Sequence, residues 1–172
     1  IFRMKRILVS GGAGFIGSNI ARFLLAKGQK VIIYDNFSTG FKSNVQPSVI
    51  GGKVKIIEGD ICDFNALKKA LKGVDFVLHH AALVSVPLSL KEPLKTLDNN
   101  VLGTLNALEA ARQNKIRKFI FASSSTVYGD GQKAPCKEDA QTNCKSPYAL
   151  SKLQGEQLCK IYTELYGLPT VC

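Results

Sequence analysis

The stretch from Lys5 to Asp35 restricts the fold more than any other part of the chain. Arg6-Ile-Leu-Val-Ser10 is an apolar run of strand length, broken at once by Gly11-Gly-Ala-Gly-Phe-Ile-Gly17. Ile16, Ile20 and Leu24 then recur at helical spacing, and Gly28 stands where that helix should end. Val31-Ile-Ile-Tyr34 is β-branched and apolar, as a buried parallel strand should be, and Asp35 closes it. Strand, glycine turn, helix, strand and acid in this order make a βαβ unit, the building block of a doubly wound parallel sheet.

The glycine spacing carries a mechanism. Gly11 permits a tight turn, Gly14 lets the backbone approach a pyrophosphate, and Gly17 lets helix and strand pack closely. Free N–H groups and the dipole at the helix N-terminus favour the anion, and Asp35 is placed to accept hydrogen bonds from an adenosine ribose. That carboxylate would repel a 2′-phosphate, so NAD is expected rather than NADP. A glycine-rich turn in some other α/β domain is the competing reading, and the agreement of both strands, the helix and the acid weighs against it.

Asn36 to Gly52 is rich in Ser, Asn, Gly and Pro and reads as a connection lying beside the adenosine. Val54-Lys-Ile-Ile57 is a third strand with Gly59-Asp60-Ile61 at its carboxyl end, where ligands of such sheets collect; Asp60 either reaches the adenine or caps a turn. Asp63 can cap a helix carrying Leu67, Ala70 and Leu71, which Gly73 ends. Asp75-Phe-Val-Leu-His79 is a fourth strand, and the small residues of His80-Ala-Ala82 admit a cofactor where the chain leaves it. Leu83 to Pro93 reads as a loop with two prolines, and Leu94 to Asn114 as one long helix with Val101, Leu105 and Leu108 on its apolar side. Asn99 is either a buried amide partnered by a nicotinamide ribose or a neighbouring loop, or a surface residue. Phe119-Ile-Phe-Ala122 is a fifth strand that runs into the hydroxyls of Ser123-Ser-Ser-Thr126, a candidate site. Tyr128 to Ser146 is a polar connection, Ser146-Pro147 caps and opens a further helix, and that helix carries Tyr148 and Lys152 on one face.

Composition removes several function classes. At 172 residues with 45% hydrophobic content the chain is one domain with one core. No apolar run approaches the roughly 20 residues that span a bilayer, and no signal peptide precedes the first strand, so a cytoplasmic protein with no membrane association is expected. Cys62, Cys136, Cys144, Cys159 and Cys172 are odd in number and form no CxxC, which suggests reduced thiols. His79 and His80 are adjacent on a strand, point to opposite faces and have no third ligand at a useful spacing, so no metal is expected. The net charge of +10 comes from lysines scattered along the whole length without an aromatic-basic module, and no nucleic-acid partner is expected. Met4 reads as the natural start, residues 1–3 as non-native or leader, and Leu168-Pro-Thr-Val-Cys172 as a sixth strand that begins and stops.

A free tyrosine has a pKa near 10 and needs roughly 4 kcal/mol of help to exchange protons at neutral pH. A unit charge at about 4 Å in an effective dielectric near 20 supplies that much. Lys152 lies one helical turn from Tyr148, which makes Tyr148 a credible general base. In isolation such a pair is incidental on an amphipathic helix; the glycine turn, the serines and Asn99 together reverse that preference.

From Lys5 to Cys172 the chain resembles the extended short-chain dehydrogenase/reductase superfamily, and within it the NAD-dependent nucleotide-sugar epimerase/dehydratase family. The resemblance rests on Gly11-Gly-Ala-Gly-Phe-Ile-Gly17, Asp35-Asn36, Gly59-Asp60-Ile61, His79-His-Ala-Ala82, Asp98-Asn-Asn-Val-Leu-Gly-Thr104, Ser123-Ser-Ser-Thr-Val-Tyr-Gly-Asp130 and Tyr148-Ala-Leu-Ser-Lys152. It implies an α/β Rossmann fold with helices on both faces, truncated after the start of the sixth strand, in which residues 1–172 are the NAD-binding domain and the C-terminal substrate-binding part is absent. It implies NAD contacts at Gly11, Gly14, Phe15, Ile16 and Gly17, at Asp35, Asn36, Ser38, Thr39 and Gly40, and at Asp60, Ile61, Ala81, Ala82, Asn99, Tyr148 and Lys152. Ser124, Tyr148 and Lys152 would be the catalytic group, and Ser85, Ser124, Ser125, Thr126 and Tyr148 would meet the substrate.

The implied reaction is 4-epimerisation of a UDP-hexose through a 4-keto intermediate, carried out by a homodimer when the protein is complete, with the fragment alone inactive. The substrates would be UDP-glucose and UDP-galactose, and the Ala81 to Pro87 loop extends them to N-acetylated forms. Related dehydratases carry Asp-Glu just after the fifth strand, where this chain has Thr126-Val127, so elimination of water is disfavoured. A dehydratase, a decarboxylase, a reductase and a non-catalytic NAD-binding regulator stand as alternatives.

Overall fold

A computed structural model describes residues 4–46, 54–130 and 135–172. The three leading residues, and parts of the two polar connections including Gly52 and Gly131, lie outside the described residues. Strands β1 (Arg6–Ser10), β2 (Lys30–Asp35), β3 (Val54–Glu58), β4 (Phe76–His79), β5 (Lys118–Phe121) and β6 (Thr170–Val171) form one six-stranded sheet in the order β3-β2-β1-β4-β5-β6. Every neighbouring pair is parallel. Chain order reverses between β1 and β4, so the connections leaving those strands diverge and open a crevice at their carboxyl ends. This is the doubly wound Rossmann sheet expected from the sequence.

Alternation along the strands loads both faces of the sheet. Leu8, Ile32, Tyr34, Val77, Phe119 and Phe121 face a core closed by helices α2 (Phe64–Ala70), α5 (Gly103–Gln113) and α6 (Pro147–Tyr166). Val9, Val31 and Ile33 face a smaller core beneath α1 (Phe15–Ala26). Each fully buried aliphatic side chain contributes about 1.5–3 kcal/mol, which is what holds the two strand ends bordering the crevice in register.

The buried stripe of α1 differs from the expected one. Gly17, Ser18 and Ala21 face the sheet, while Ile16 is 60% exposed at the crevice. The glycine turn draws the helix so close to β1 that a Cβ on Gly17 would stand 2.3 Å from Gly11 O, and only small side chains fit between. Gly28, at φ 72°, ends the helix as expected.

The segment from Leu83 to Asn114 also differs. It contains α3 (Val86–Lys91), α4 (Pro93–Leu97), a π-helical turn at Asp98–Leu102 and α5, in place of a loop followed by one uninterrupted helix. Ser85 Oγ accepts the Leu88 N–H at 3.2 Å as the cap of α3, and Pro87 and Pro93 occupy first turns, where a missing N–H costs nothing. The two prolines therefore start helices here. The inward face of α5 is Gly103, Thr104, Ala107, Leu108, Ala110 and Ala111, whereas Leu105 is 36% exposed and Val101 half-buried. Close packing again selects small residues, since a Cβ on Gly103 would come within 2.4 Å of Ile61 Cδ1. Among the described residues no helix is long and apolar enough to cross a membrane.

Candidate functional site

A crevice of about 310 Å³ occupies the switch point, and the glycine turn forms its floor. Gly11, at φ 67°, donates its N–H to Tyr34 O at 2.9 Å, and a Cβ there would meet Ala81 N at 2.6 Å. A Cβ on Gly14 would meet only Gly11 O, at 3.3 Å, so this face of the turn is open to a ligand. Gly14 caps α1 with no side-chain hydrogen bond, and no acidic residue stands in the first turn. The leading N–H groups of α1 thus remain available to an anion, which is the feature that fits a dinucleotide pyrophosphate. Phe15, Ile16 and Gly17 complete this part of the lining.

Asp35, at 7% exposure, ends β2 beside that turn. Its Oδ2 accepts the Ala13 N–H at 2.9 Å and its Oδ1 the Phe37 N–H at 2.8 Å, so the carboxylate braces the turn as well as facing the crevice. Asn36 Oδ1 accepts from the backbone and hydroxyl of Ser38, and Asn36 Nδ2 donates to Asp60 Oδ2 at 2.9 Å. Ser38, Thr39 and Gly40 form the rim here, and Ile61 lines the wall opposite. Asp60 is not part of the lining: its carboxylate accepts from Asn36 and from the Cys62 N–H at 2.8 Å. Burial pushes the Asp60 carboxyl up, but the Cys62 and Asn36 hydrogen bonds outweigh it and hold the group below its ordinary value. The Asp60 carboxylate thus braces the turn after β3.

The second wall comes from the exits of β4 and β5 and from α6. Ala81, Ala82, Asn99, Tyr148 and Lys152 all line it. Ser146 Oγ caps α6 by accepting the Ala149 N–H at 3.1 Å, which sets Tyr148 and Lys152 on the first inward turn. Lys152 Nζ donates to Ala122 O at 2.8 Å and sits 5.0 Å from the Phe121 ring centre and 6.0 Å from that of Tyr148. Burial lowers the Lys152 ammonium to about 8, still protonated for the most part at neutral pH. Burial, followed by that charge, lowers His80, whose side chain also borders the crevice.

The other predicted substrate residues separate. Ser124 caps a 3₁₀ turn, Ser125–Tyr128, with its Oγ accepting from Thr126 N at 3.3 Å and Thr126 Oγ1 at 3.0 Å. Ser125 and Thr126 line a second cavity of about 480 Å³ together with Val86, Lys145 and Ser146. Ser124 is in neither lining, while its neighbours Ser123 and Ser125 line the first and the second cavity. Ser85 is in neither lining and serves as the α3 cap.

Gly59, His80 and Ser123, which belong to motifs marked in the sequence, line the crevice, and so do Tyr34, Leu83, Val84 and Ala122, which had not been singled out as site residues. Each stands at or just beyond a strand's carboxyl end, a positional signal that could have found them. The Ser123 hydroxyl is held by Glu156 of α6. His79 is 1% exposed and turned into the core against Phe119 and Phe121, and no group of three metal-ligating side chains exists among the described residues. All five cysteines are free thiols.

Residues 7–172 match the sequence model of the NAD dependent epimerase/dehydratase family. The chain belongs to that family. It is similar to the UDP-glucose 4-epimerase of Lacticaseibacillus casei, 38% identical over 167 residues that cover 96% of this chain and 49% of the relative. Among solved structures it resembles the UDP-glucose 4-epimerase of Brucella ovis in complex with NAD, at TM-score 0.90 and 36% identity, covering 96% of this chain and 50% of that one. It also resembles the UDP-N-acetylglucosamine 4-epimerase of Methanobrevibacter ruminantium in complex with UDP-N-acetylmuramic acid, at TM-score 0.90 and 41% identity, covering 98% and 54%. The chain spans about half the length of the curated relatives it matches.

Proposed function

We propose that this chain is the NAD-binding part of an NAD-dependent UDP-hexose 4-epimerase whose substrate-binding part lies outside it. The observation that carries the reading is the convergence on one crevice of an open pyrophosphate turn, Gly11 to Gly17, with Tyr148 and Lys152 on the facing wall. The leading amides of α1 would hold the pyrophosphate, Asp35 the adenosine ribose, Ile61 the adenine, and Asn99 and Lys152 the nicotinamide ribose. When bound, NAD supplies a hydride acceptor and donor for the sugar C4. Tyr148 would take the proton of the sugar 4-hydroxyl and return it after the 4-keto sugar has turned over. Ser124 would hold that hydroxyl, and the Lys152 ammonium, beside the Tyr148 ring, would add positive charge to this wall of the crevice.

Thr126 and Val127 offer no acid or base for elimination of water, which favours simple return of the hydride over a dehydratase outcome. A homodimer is the accompanying reading, supported by large apolar side chains left exposed on α3, α4 and the π turn (Leu90, Leu94, Leu102) and on α6 (Ile161, Leu165). The cytoplasm is the proposed location, and neither nucleic acid nor membrane is a proposed partner.

The test is incubation of the complete protein with UDP-glucose, UDP-galactose and their N-acetyl forms. The 4-epimer should form with no net NADH. Accumulation of a 4-keto-6-deoxy sugar, or binding of NAD with no turnover of any UDP-hexose, would overturn the assignment.

A further inference from the structure

The end of the sheet opposite the crevice gathers charges that the sequence disperses. All the strands are parallel, so they start together at that end, and the helices between them finish there. Lys30 stands opposite Arg6 in the register, and Lys118 opposite Phe76. Backbone bonds tie the strand starts into one row: the Lys30 N–H donates to Lys5 O at 2.9 Å, the Asp75 N–H to Arg6 O at 2.8 Å and the Arg117 N–H to Asp75 O at 2.9 Å. At a strand spacing of about 4.8 Å, the row from β2 to β5 is roughly 15 Å long. It bears Lys5, Arg6, Lys30, Arg117 and Lys118. The neighbouring helix ends add Lys27 after α1, Lys68, Lys69 and Lys72 at the end of α2, and Lys115 after α5. Asn114 Nδ2 donates to Lys68 O at 3.1 Å and so joins the last two of these ends.

Residues 4–6, 27–30, 68–75 and 114–118 thus hold ten cations and one acid, against a net charge of +10 for the whole chain. The acid, Asp75, is already committed: its Oδ2 accepts the Arg6 N–H at 2.9 Å and its Oδ1 lies 3.9 Å from Arg117 Nε. Acids on the adjoining helix turns are matched one for one, Glu109 with Arg112 at 2.6 Å and Glu164 with Lys160 at 3.9 Å. The positive surplus is therefore unrelieved within these segments.

Helix dipoles explain part of it. A cation in the last turn faces the negative end of the dipole, which gives Lys27, Lys68 and Lys69 a structural reason to be there. Strand starts offer no such dipole, so the row from Lys30 to Lys118 repels itself without return. Lys115 is a second exception. Helices α1 and α5 close on the same pair of backbone bonds: Gly28 N–H to Leu25 O with Gln29 N–H to Leu24 O, and Lys115 N–H to Arg112 O with Ile116 N–H to Ala111 O. The chain turns left-handed at both, on Gly28 at φ 72° and on Lys115 at φ 55°. Glycine takes that conformation freely and lysine does not, so a cation is kept where the backbone favours its removal.

We propose that this end of the sheet is a docking face for a carboxylate-rich segment of a partner protein, laid across the row of strand starts. Nucleic acid would call for an element that enters a groove or for rings that stack on bases, and these four segments contain no aromatic residue. A bilayer surface would call for apolar side chains to insert; apart from Met4, the large apolar side chains here, Leu71, Val74 and Ile116, are buried. Eight of the ten cations are lysines, point charges that attract carboxylates without demanding a fixed geometry. The face is independent of the reaction proposed for the crevice, which lies at the other ends of the strands.

The experiment uses the complete protein and a fluorescently labelled oligoglutamate peptide as the probe. Wild type should bind it, and the affinity should fall at least about tenfold between about 0.01 and 0.1 M salt, as the screening length drops from roughly 30 to roughly 10 Å. A triple variant, Lys30→Glu, Lys72→Glu and Lys118→Glu, reverses three exposed members of the face and should weaken binding at least about tenfold. The control reverses three exposed lysines elsewhere, Lys91→Glu, Lys137→Glu and Lys160→Glu, with the same change in net charge, and should stay within about threefold of wild type. NAD titration should be the same in all three proteins.

Absence of oligoglutamate binding by wild type at low salt would overturn the proposal, as would equal losses in the two triple variants. Tighter binding of DNA of equal charge, or of mixed phosphatidylcholine and phosphatidylserine vesicles, would overturn the choice of a protein partner. A parallel loss of NAD affinity in the first triple variant would place the anion in the crevice and also refute it. Should that variant fail to fold, Lys72→Glu and Lys115→Gly replace it singly, each with about threefold weaker binding expected and unchanged affinity in both refuting the face. Lys115→Gly should also hold or raise the urea midpoint, because glycine relieves the left-handed turn. Failure of the complete protein to epimerise any UDP-hexose leaves all of these measurements intact.

Discussion

Replacing Asp35 with Ala perturbs binding and folding through the same carboxylate, and the two effects can be sized separately. The Ala13 and Phe37 N–H groups both lose their acceptor. Ala13 is fully buried, so its amide bears the whole cost of an unpaired group, about 1–3 kcal/mol, while half-buried Phe37 recovers part of its loss from water. The expected destabilisation is about 2–4 kcal/mol, a large fraction of the 5–15 kcal/mol typical of a domain. For binding, the lost ribose hydrogen bond weakens NAD by about 1 kcal/mol, near fivefold. Removing the charge also lifts a repulsion on a 2′-phosphate worth about 3 kcal/mol for unit charges at roughly 5 Å and an effective dielectric near 20. The NADP to NAD affinity ratio should therefore rise by about 10²-fold or more. Calorimetric titration with both dinucleotides, beside urea unfolding of each variant, separates the effects. Asp35→Asn is the control: it keeps the shape and removes the charge, but turns an amide N–H₂ toward one of the two backbone donors. An unchanged NADP to NAD ratio in a destabilised Asp35→Ala protein would show that the carboxylate is only a brace and would refute the selectivity argument.

In the complete protein, Tyr148→Phe should cut turnover by roughly 10²–10⁴ fold with NAD affinity nearly intact, while Lys152→Ala should damage both. Near-normal turnover of the Phe variant would remove Tyr148 from the chemistry. Gly17→Ala gains about 1 kcal/mol of helix propensity, yet its Cβ would stand 2.3 Å from Gly11 O in a backbone that cannot yield. Overlap of that kind costs about 1–3 kcal/mol or more, so the urea midpoint should fall and a rise would refute the packing argument. Burial, helped by the charges of Lys152 and His80, lowers His79 to about 3 in the folded state. With an unfolded value near 6.5, the folded protein binds fewer protons, so this contribution is complete above about pH 6.5 and is lost as pH falls toward 3, reaching about 2 kcal/mol by pH 5. His79→Gln should be less stable at neutral pH but lack that part of the slope. Identical pH dependence of the two unfolding curves would refute it.

What the chain determined by itself is the part governed by local chemistry. Glycines at fixed offsets between a β-branched strand and a helix, with an acid closing the next strand, specify the turn, the parallel pairing and the crevice, because each requirement is met within a few neighbouring residues. Ser146-Pro147 likewise fixed where α6 starts, and hence that Tyr148 and Lys152 share its first inward turns. Tertiary structure decided which of several possible faces became the inside. Helical periodicity in α1 marks both an Ile16 stripe and a Gly17-Ala21 stripe, and the approach to β1 selected the smaller one. Pro87 and Pro93 read equally as loop formers or as first-turn residues until Ser85 supplies a cap and α6 a surface to pack on. The neighbouring amides Asn99 and Asn100 are indistinguishable by type. The π turn rotates Asn100 into the core, where Leu83 and Ser151 satisfy it, and leaves Asn99 on the crevice wall. Such choices depend on groups distant in the chain that meet only after the sheet has formed, and no window of neighbouring residues contains them.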